Sequence, residues 1–183
     1  MTDTPDDGTL AARALAGHRP AQRALMERHR ARVHRIALAH CGGDADAALD
    51  ITQQAFIAAF LALRRYDPAR PFAHWIARIT LNKARDHARR LAVRRWLPLS
   101  PPAHHDAPDP TPPADTALAD KQALARAMAA IARLPASLRD VLILCGVEGM
   151  AQADVAALLD ITTKAVETRL RRARETLRER LRD

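Results

Sequence analysis

Residues 151–182, AQADVAALLDITTKAVETRLRRARETLRERLR, decide the fold of this chain. Apolar positions recur there at three- and four-residue intervals on both sides of Asp160-Ile161-Thr162. This predicts two helices, Ala151 to Leu159 and Thr163 to about Leu181, joined by a tight turn. Ala156 is small enough to let the helices approach, Ile161 and Val166 fill the angle between them, and Thr162 is placed to cap the second. That is helix-turn-helix spacing. Asp160 stands where such turns favour glycine, and Ala151 offers the first helix no capping oxygen, so the motif is expected to be slightly less stable than it could be. The second helix carries Lys164, Arg169, Arg171, Arg172, Arg174, Arg178, Arg180 and Arg182 against Glu167, Glu175 and Glu179, a balance suited to phosphates and guanine edges. A solvated helix laced with Glu/Arg pairs is the alternative reading of the charge alone.

Upstream of this motif, Leu118, Leu124, Met128 and Ile131 mark a helix reaching Arg133. Pro135 can open another through Leu138, Val141, Leu142 and Cys145, with Gly146 and Gly149 bracketing its end. Before them lies PLSPPAHHDAPDPTPPADT, residues 98–116, whose seven prolines remove backbone donors and exclude helix. It reads as a stiff tether. Further back the chain is helical again. Leu25, Met26, His29, Val33, Ile36 and Ala37 form one stripe of a helix that Pro20 could start and Gly42-Gly43 would end. Asp44 caps the next, with Leu49, Thr52, Phe56, Phe60 and Leu63 as its buried stripe, and Pro71 opens a third with Phe72, Trp75, Ile76 and Ile79 inward. A short helix around Thr9 to Ala16 precedes them. The expected class is all-α, with two small helical domains, 1–97 and 117–183, joined by a proline-rich acidic linker over 98–116.

The 183 residues hold 29 Lys and Arg against 21 Asp and Glu, a formal charge of +8. A polyanion is the natural partner. Cys41 and Cys145 lie far apart, with neither a CxxC pair nor a His/Cys cluster at zinc-ligand spacing, so no disulfide framework, metal or other cofactor is implied. The stretch from Ile51 to Leu63 is too short to cross a bilayer, and the acidic N-terminus does not resemble a signal peptide, so a cytoplasmic protein without direct membrane insertion is expected.

Two further surfaces are visible in the first domain. Arg78, Asn82, Arg85, Asp86 and Arg89 fall on one face of the third helix beside its core stripe. Arginine suits phosphate and asparagine a base edge, while the turn from Asp67 to Pro71 could receive an unstacked base. Trp75 could stack on a base or simply fill the core. The middle helix carries a second stripe, Asp50, Gln53, Gln54, Ile57 and Leu61, beside its buried one. Two stripes on one helix require two partners, so this side is a candidate protein-binding surface.

Together these residues resemble an extracytoplasmic-function (ECF) sigma factor, the minimal two-domain branch of the bacterial primary sigma superfamily. DITQQAFIAAFLALRRYDPARPFAHWIARITLNKARDHARR is similar to that family's region 2, and LPASLRDVLILCGVEGMAQADVAALLDITTKAVETRLRRARETLRERL to its region 4. The resemblance implies that Asp50, Gln53, Gln54 and Phe56, with Ile57 and Leu61, dock on the beta-prime clamp helices of core RNA polymerase, and that the second domain meets the beta flap. It implies that Asp67, Arg70, Phe72, Trp75, Arg78, Asn82, Arg85, Asp86, Arg89 and Arg90 melt and read the minus-10 element of promoter DNA. Thr163, Lys164, Glu167, Thr168, Arg169, Arg171, Arg172 and Arg174 would read the minus-35 element. Glu167 stands where many relatives place a basic or small polar residue. It is expected to influence sequence choice, while Arg171, Arg172 and Arg174 supply affinity. An anti-sigma partner is implied as well.

Two other readings remain open at this level. A helix-turn-helix regulator that never joins polymerase would share the second domain but leave the Asp50 to Leu61 stripe and the Asn82 face unexplained. An enzyme or metal sensor is suggested by eight histidines, including His104-His105 and the His40-Cys41 pair, yet no HExxH motif, phosphate-cradling loop or nucleophile-base arrangement accompanies them. His29 and His40 are expected at the core edge.

Overall fold

The computed structural model describes residues 5–96 and 115–182, and every regular element among them is helical. The sequence opens with α1 (Asp7–Leu15), capped by Asp6, whose carboxylate accepts from the Thr9 amide at 2.8 Å. Then α2 (Arg19–His40) starts with Pro20 in its first turn and His18 as its cap. It ends where Gly42 and Gly43 take positive φ, conformations open to glycine at little cost. Asp44 caps α3 (Ala45–Leu61) through the Ala47 amide at 2.9 Å, and a 3₁₀ turn (Leu63–Arg65) leads to the loop before α4 (Phe72–Trp96). After the undescribed segment come α5 (Asp115–Ala132), α6 (Ala136–Leu142), a π-helical turn (Ile143–Val147), α7 (Gln152–Leu159) and α8 (Thr163–Arg182). Residues 97–114 of the expected tether, and His104-His105 with them, lie outside the described residues; its last two positions, Asp115 and Thr116, already belong to α5.

Helices α1 to α4 enclose one core built from Leu10, Leu25, Val33, Phe56, Phe72 and Ile76. The expected stripes are largely buried, with two corrections. Met26 is 40% and Leu49 59% exposed; the inward side of α3 is instead Ala48, Ile51, Thr52, Ala55, Phe56 and Ala59. Reading Leu49 as core shifted the stripe by one residue, about 100° around a helix, and passed over Ile51. The helix after Pro135 ends between Gly146 and Gly149, as expected: a π turn over Ile143–Val147 continues it past Gly146, and Gly149 then turns the chain.

The second half packs directly on the first. Ile36, Ala39, Ala77 and Leu81 share one hydrophobic cluster with Leu134, Val141, Ile143, Leu144, Met150 and Val155. Helix α5 and the π turn rest on α2, and α7 rests on α4. At the end of α2 the contact is close: a Cβ on Gly42 would stand 3.0 Å from that of Ala132. Gly42 is therefore required both for its φ of +73° and for this approach.

Candidate nucleic-acid interfaces

The helix-turn-helix forms between α7 and α8. Asp160 adopts φ 56°, ψ 51°, the left-handed conformation its position demands, and Thr162 Oγ1 accepts from the Ala165 amide at 3.1 Å to cap α8. Ala151 makes no side-chain cap to α7. Val166 is fully buried and Ala156 nearly so, holding the two helices at their crossing. Outward on α8 stand Thr163, Lys164, Glu167, Arg171, Arg172 and Arg174, all exposed, with Thr168 and Arg169 half-buried. Lys164 Nζ lies 3.0 Å from Glu167 Oε2, and Arg171 donates to Glu175 at 2.9 Å. Arg172 and Arg174 have no ion-pair partner among the described residues, which leaves two whole guanidinium groups available to an external anion. Glu167 is thus held beside a cation at the start of the helix, where its carboxylate faces solvent.

The face of α4 is arranged differently. Arg78, Asn82, Arg89 and Arg90 are exposed, and Asp86 is half-buried beside Arg89, to which it is ion-paired. Arg85 turns toward the second half. Its Nε donates to Asp140 Oδ2 at 2.9 Å, a second nitrogen reaches the same oxygen, and Nη1 donates to Asn82 Oδ1 at 3.3 Å. The Asp140 side chain is only 1% exposed. His40 Nε2 lies 3.3 Å from its other oxygen, within ion-pair distance, and both atoms are buried. Burial pushes the His40 imidazole below the ordinary range; the neighbouring Asp140 opposes this, and Arg139 and Arg85 reinforce it. A second clamp joins the halves where Arg32 and Arg35 reach Glu148 at 3.0 and 3.1 Å.

The loop before α4 is shaped by its own bonds. Asp67 Oδ1 accepts from the Ala69 amide at 3.0 Å, and the Tyr66 hydroxyl donates to the Arg70 carbonyl at 2.8 Å. Asp67 and Arg70 point outward, 3.6 Å apart. An open depression of about 690 Å³ lies between this loop and α1, lined by Asp6, Thr9, Arg28, Tyr66, Arg70 and Phe72 among others. Phe72 is fully buried and Trp75 half-buried; with Tyr66 they form a cluster whose ring centroids lie 5.2 to 5.3 Å apart. The two aromatic side chains of α4 therefore brace the loop from below. On α3, Asp50, Gln53, Ile57 and Leu61 are exposed, Ile57 by 53% and Leu61 by 82%, and Gln54 is half-buried. Phe56 is 3% exposed and belongs to the core beneath that stripe.

Asp140, Glu148, Arg32 and Arg35 were not singled out from sequence. Single charged residues on amphipathic helices carry no mark of an inter-domain partner; the only available hint was an Asp inside the apolar run Leu138 to Leu144. His29 and His40 are buried, as expected of core-edge residues. Burial pushes the Cys41 thiol up to about 11, with Asp44 adding to the effect, and raises Cys145 as well, so neither is a ready thiolate.

Residues 25–94 match the family model for sigma-70 region 2, and residues 124–177 the model for sigma-70 region 4. The chain is 35% identical to the RNA polymerase sigma factor CnrH of Cupriavidus metallidurans, over 97% of this chain and 95% of that protein. It is 32% identical to the ECF RNA polymerase sigma factor SigM of Mycobacterium tuberculosis, over 93% and 82%. The solved structure of CnrH in complex with the cytosolic domain of CnrY superposes with a TM-score of 0.70 at 32% identity, covering 94% of this chain and 95% of that one. A helix-turn-helix with free arginines, a second basic helix behind a braced loop and relatives matched almost end to end converge on one assignment: the chain belongs to the sigma-70 family as an ECF RNA polymerase sigma factor, a transcription initiation factor.

Proposed function

We propose that three surfaces divide the work of initiation. The exposed stripe of α3, Asp50, Gln53, Gln54, Ile57 and Leu61, docks on the clamp helices of core polymerase, with Phe56 holding it from beneath. Asn82, Arg78, Arg85, Arg89 and Arg90 on α4, with Asp86 and the Asp67 to Phe72 loop, open and read the minus-10 element. Capturing an unstacked base beside that loop offsets the few kcal/mol that flipping costs, so no nucleotide hydrolysis is required. The chain performs no catalysis of its own. On α8, Arg171, Arg172 and Arg174 supply phosphate affinity in the minus-35 major groove, while Glu167 selects sequence by accepting from cytosine N4. Regions 1–97 and 117–183 act as the two working domains, with 98–116 as the linker between them.

The observation that carries this reading is Leu61, 82% exposed on a helix whose opposite face is core. A leucine so placed beside Ile57 suits a protein partner better than water. Among the described residues no helix is long and apolar enough to cross a membrane, which fits work in the cytoplasm. A protein partner of anti-sigma type is proposed on the likeness to CnrH, whose structure was solved bound to CnrY. Exchanging Ile57 and Leu61 for Asp tests the proposal. Both side chains are in solvent, so the fold should persist, while affinity for core polymerase and run-off transcription fall at least tenfold. Unchanged association with core polymerase would refute the docking assignment.

A further inference from the structure

We propose that Asp7, Arg28 and His29 are positioning residues for promoter opening: they tie the first turn of α1 to α2, and through it hold the Tyr66 to Pro71 loop ready for an unstacked base. The inference deepens the minus-10 reading above and rests on it. The loop's own hydrogen bonds, Asp67 with Ala69 and Tyr66 with Arg70, shape it from within. Two further contacts carry it to α1.

The first runs through rings. Tyr66 packs edge-on against Phe72 with centroids 5.2 Å apart, and Phe72 lies 5.1 Å from the imidazole of His29. His29 is buried on α2, and its Nε2 stands 2.9 Å from Asp7 Oδ2. A carboxylate can only accept, so Nε2 carries the proton, and the bond fixes both the tautomer and the tilt of the ring under Phe72. The second contact is steric. Gly8 backs onto the loop, where a Cβ would meet that of Pro68 at 3.6 Å.

Arg28 closes the arrangement from the outer side. Its Nη1 donates to Asp7 Oδ1 at 2.6 Å and its Nη2 to the Pro5 carbonyl at 2.9 Å, so one guanidinium spans the entry to α1. Asp7 is thereby held at both oxygens by successive residues of α2. Partly exposed ion pairs add little stability, and Leu10, Ala11 and Ala14 already anchor α1 in the core. Their place is the informative feature: the charged ties gather at the end of α1 that touches the loop. Capturing a base helps opening only so far as the loop is shaped beforehand, because ordering it during binding gives part of the gain back. Loosening α1 should therefore slow the opening of duplex DNA and spare docking on polymerase through α3.

The test compares full-length Asp7→Ala and Arg28→Gln with the wild-type chain, in affinity for core polymerase and in run-off transcription on duplex and premelted minus-10 promoters. Asp7→Ala should bind core polymerase normally, transcribe the duplex about tenfold less, and recover on the premelted template. Arg28→Gln leaves His29 its acceptor and alters a partly exposed group, so it should show the same pattern at roughly threefold. It decides the matter if Asp7→Ala disturbs folding and loses core affinity. Hydrogen exchange gives a reading independent of activity: the Ala69 and Arg70 amides should exchange faster in both variants, with α8 unchanged. Duplex transcription within about twofold of wild type in both variants, a defect that premelting leaves in place, or unaltered loop exchange would overturn the proposal. Asn82→Ala separates it from the reading beneath it. Normal opening by that variant would bring down the minus-10 assignment itself, whereas its defect beside intact Asp7→Ala and Arg28→Gln would bring down the positioning role alone.

Discussion

Helices α4 and α8 carry the same kind of residue at the same kind of spacing and use it differently. On α8, Arg172 and Arg174 stand in solvent with no ion-pair partner among the described residues, and the helix is fixed from beneath by Val166, Leu170 and Ala173. On α4, Arg85 is spent on Asp140 of the other half while Arg89 is spent on Asp86 of its own helix. A basic helical face therefore does not measure how much charge is free to meet DNA. What decides is whether a carboxylate from another element reaches it first, and that depends on tertiary packing.

The largest expected difference between the two helices is in stability. Arg85→Ala leaves the buried Asp140 carboxylate without its cation and should cost about 3 kcal/mol in urea denaturation, less to the extent that the halves simply part and hydrate it. Arg172→Ala, on an exposed surface, should change stability by no more than about 0.5 kcal/mol. Equal losses for both would remove the contrast. In binding the order reverses: Arg172→Ala should weaken minus-35 DNA at every sequence and lower the salt slope by about 1, since one phosphate contact is lost.

Sequence choice supplies the next test. Glu167→Ala should compress the ranking of minus-35 sequences, removing about 1–3 kcal/mol of preference at one base pair while leaving the salt slope almost unchanged. An unaltered ranking in competition binding would dismiss Glu167 from selection and leave Lys164 as its only partner.

Acidity should separate the halves of the comparison as well. The His40 imidazole is held below its ordinary 6.5, chiefly by burial, so the packed halves favour the neutral ring. The stability this lends is present above 6.5 and lost as pH falls through the lowered value, because the released state binds the proton first. The contact between the halves around His40, faced by Asp140, Arg139 and Arg85, should therefore loosen as pH drops below about 6.5, and His40→Gln should flatten that dependence of the radius read by small-angle X-ray scattering. His29, also lowered by burial and opposed by Asp7, should add a parallel loss in the first domain that His40→Gln leaves intact. The smallest effect is at Asp160. Glycine there removes the cost of a left-handed Asp, φ 56°, and should stabilise the second domain by about 0.5–1 kcal/mol, read from its thermal midpoint.

Much of this was legible in the sequence because each feature is local. Pro20, Gly42-Gly43, Asp44 and Thr162 mark helix ends through their own backbone preferences, and the stripes of α2, α4 and α8 follow from the helical period. The unpaired stripe of α3 was legible for the same reason, since a helix with two apolar faces stands out in one dimension. Leu49 was misplaced because one residue of phase separates buried from exposed on α3, and Ala48 and Ala55, which line the true inward face, are weak hydrophobic markers. The clamps Arg85–Asp140 and Arg32/Arg35–Glu148 were not legible at all. They join residues far apart in sequence, and an acid that neutralises a distant arginine has the same local pattern as one that faces water.

The division of labour between the two helices can be measured directly by run-off transcription with reconstituted core polymerase on a duplex promoter and on the same promoter with a premelted minus-10 segment. Asn82 and Arg172 are both exposed, so Asn82→Ala and Arg172→Ala should fold alike. If α4 opens DNA and α8 anchors it, premelting restores the Asn82→Ala protein by about tenfold or more and leaves the Arg172→Ala defect in place. Equal rescue of both variants, or of neither, would contradict the account.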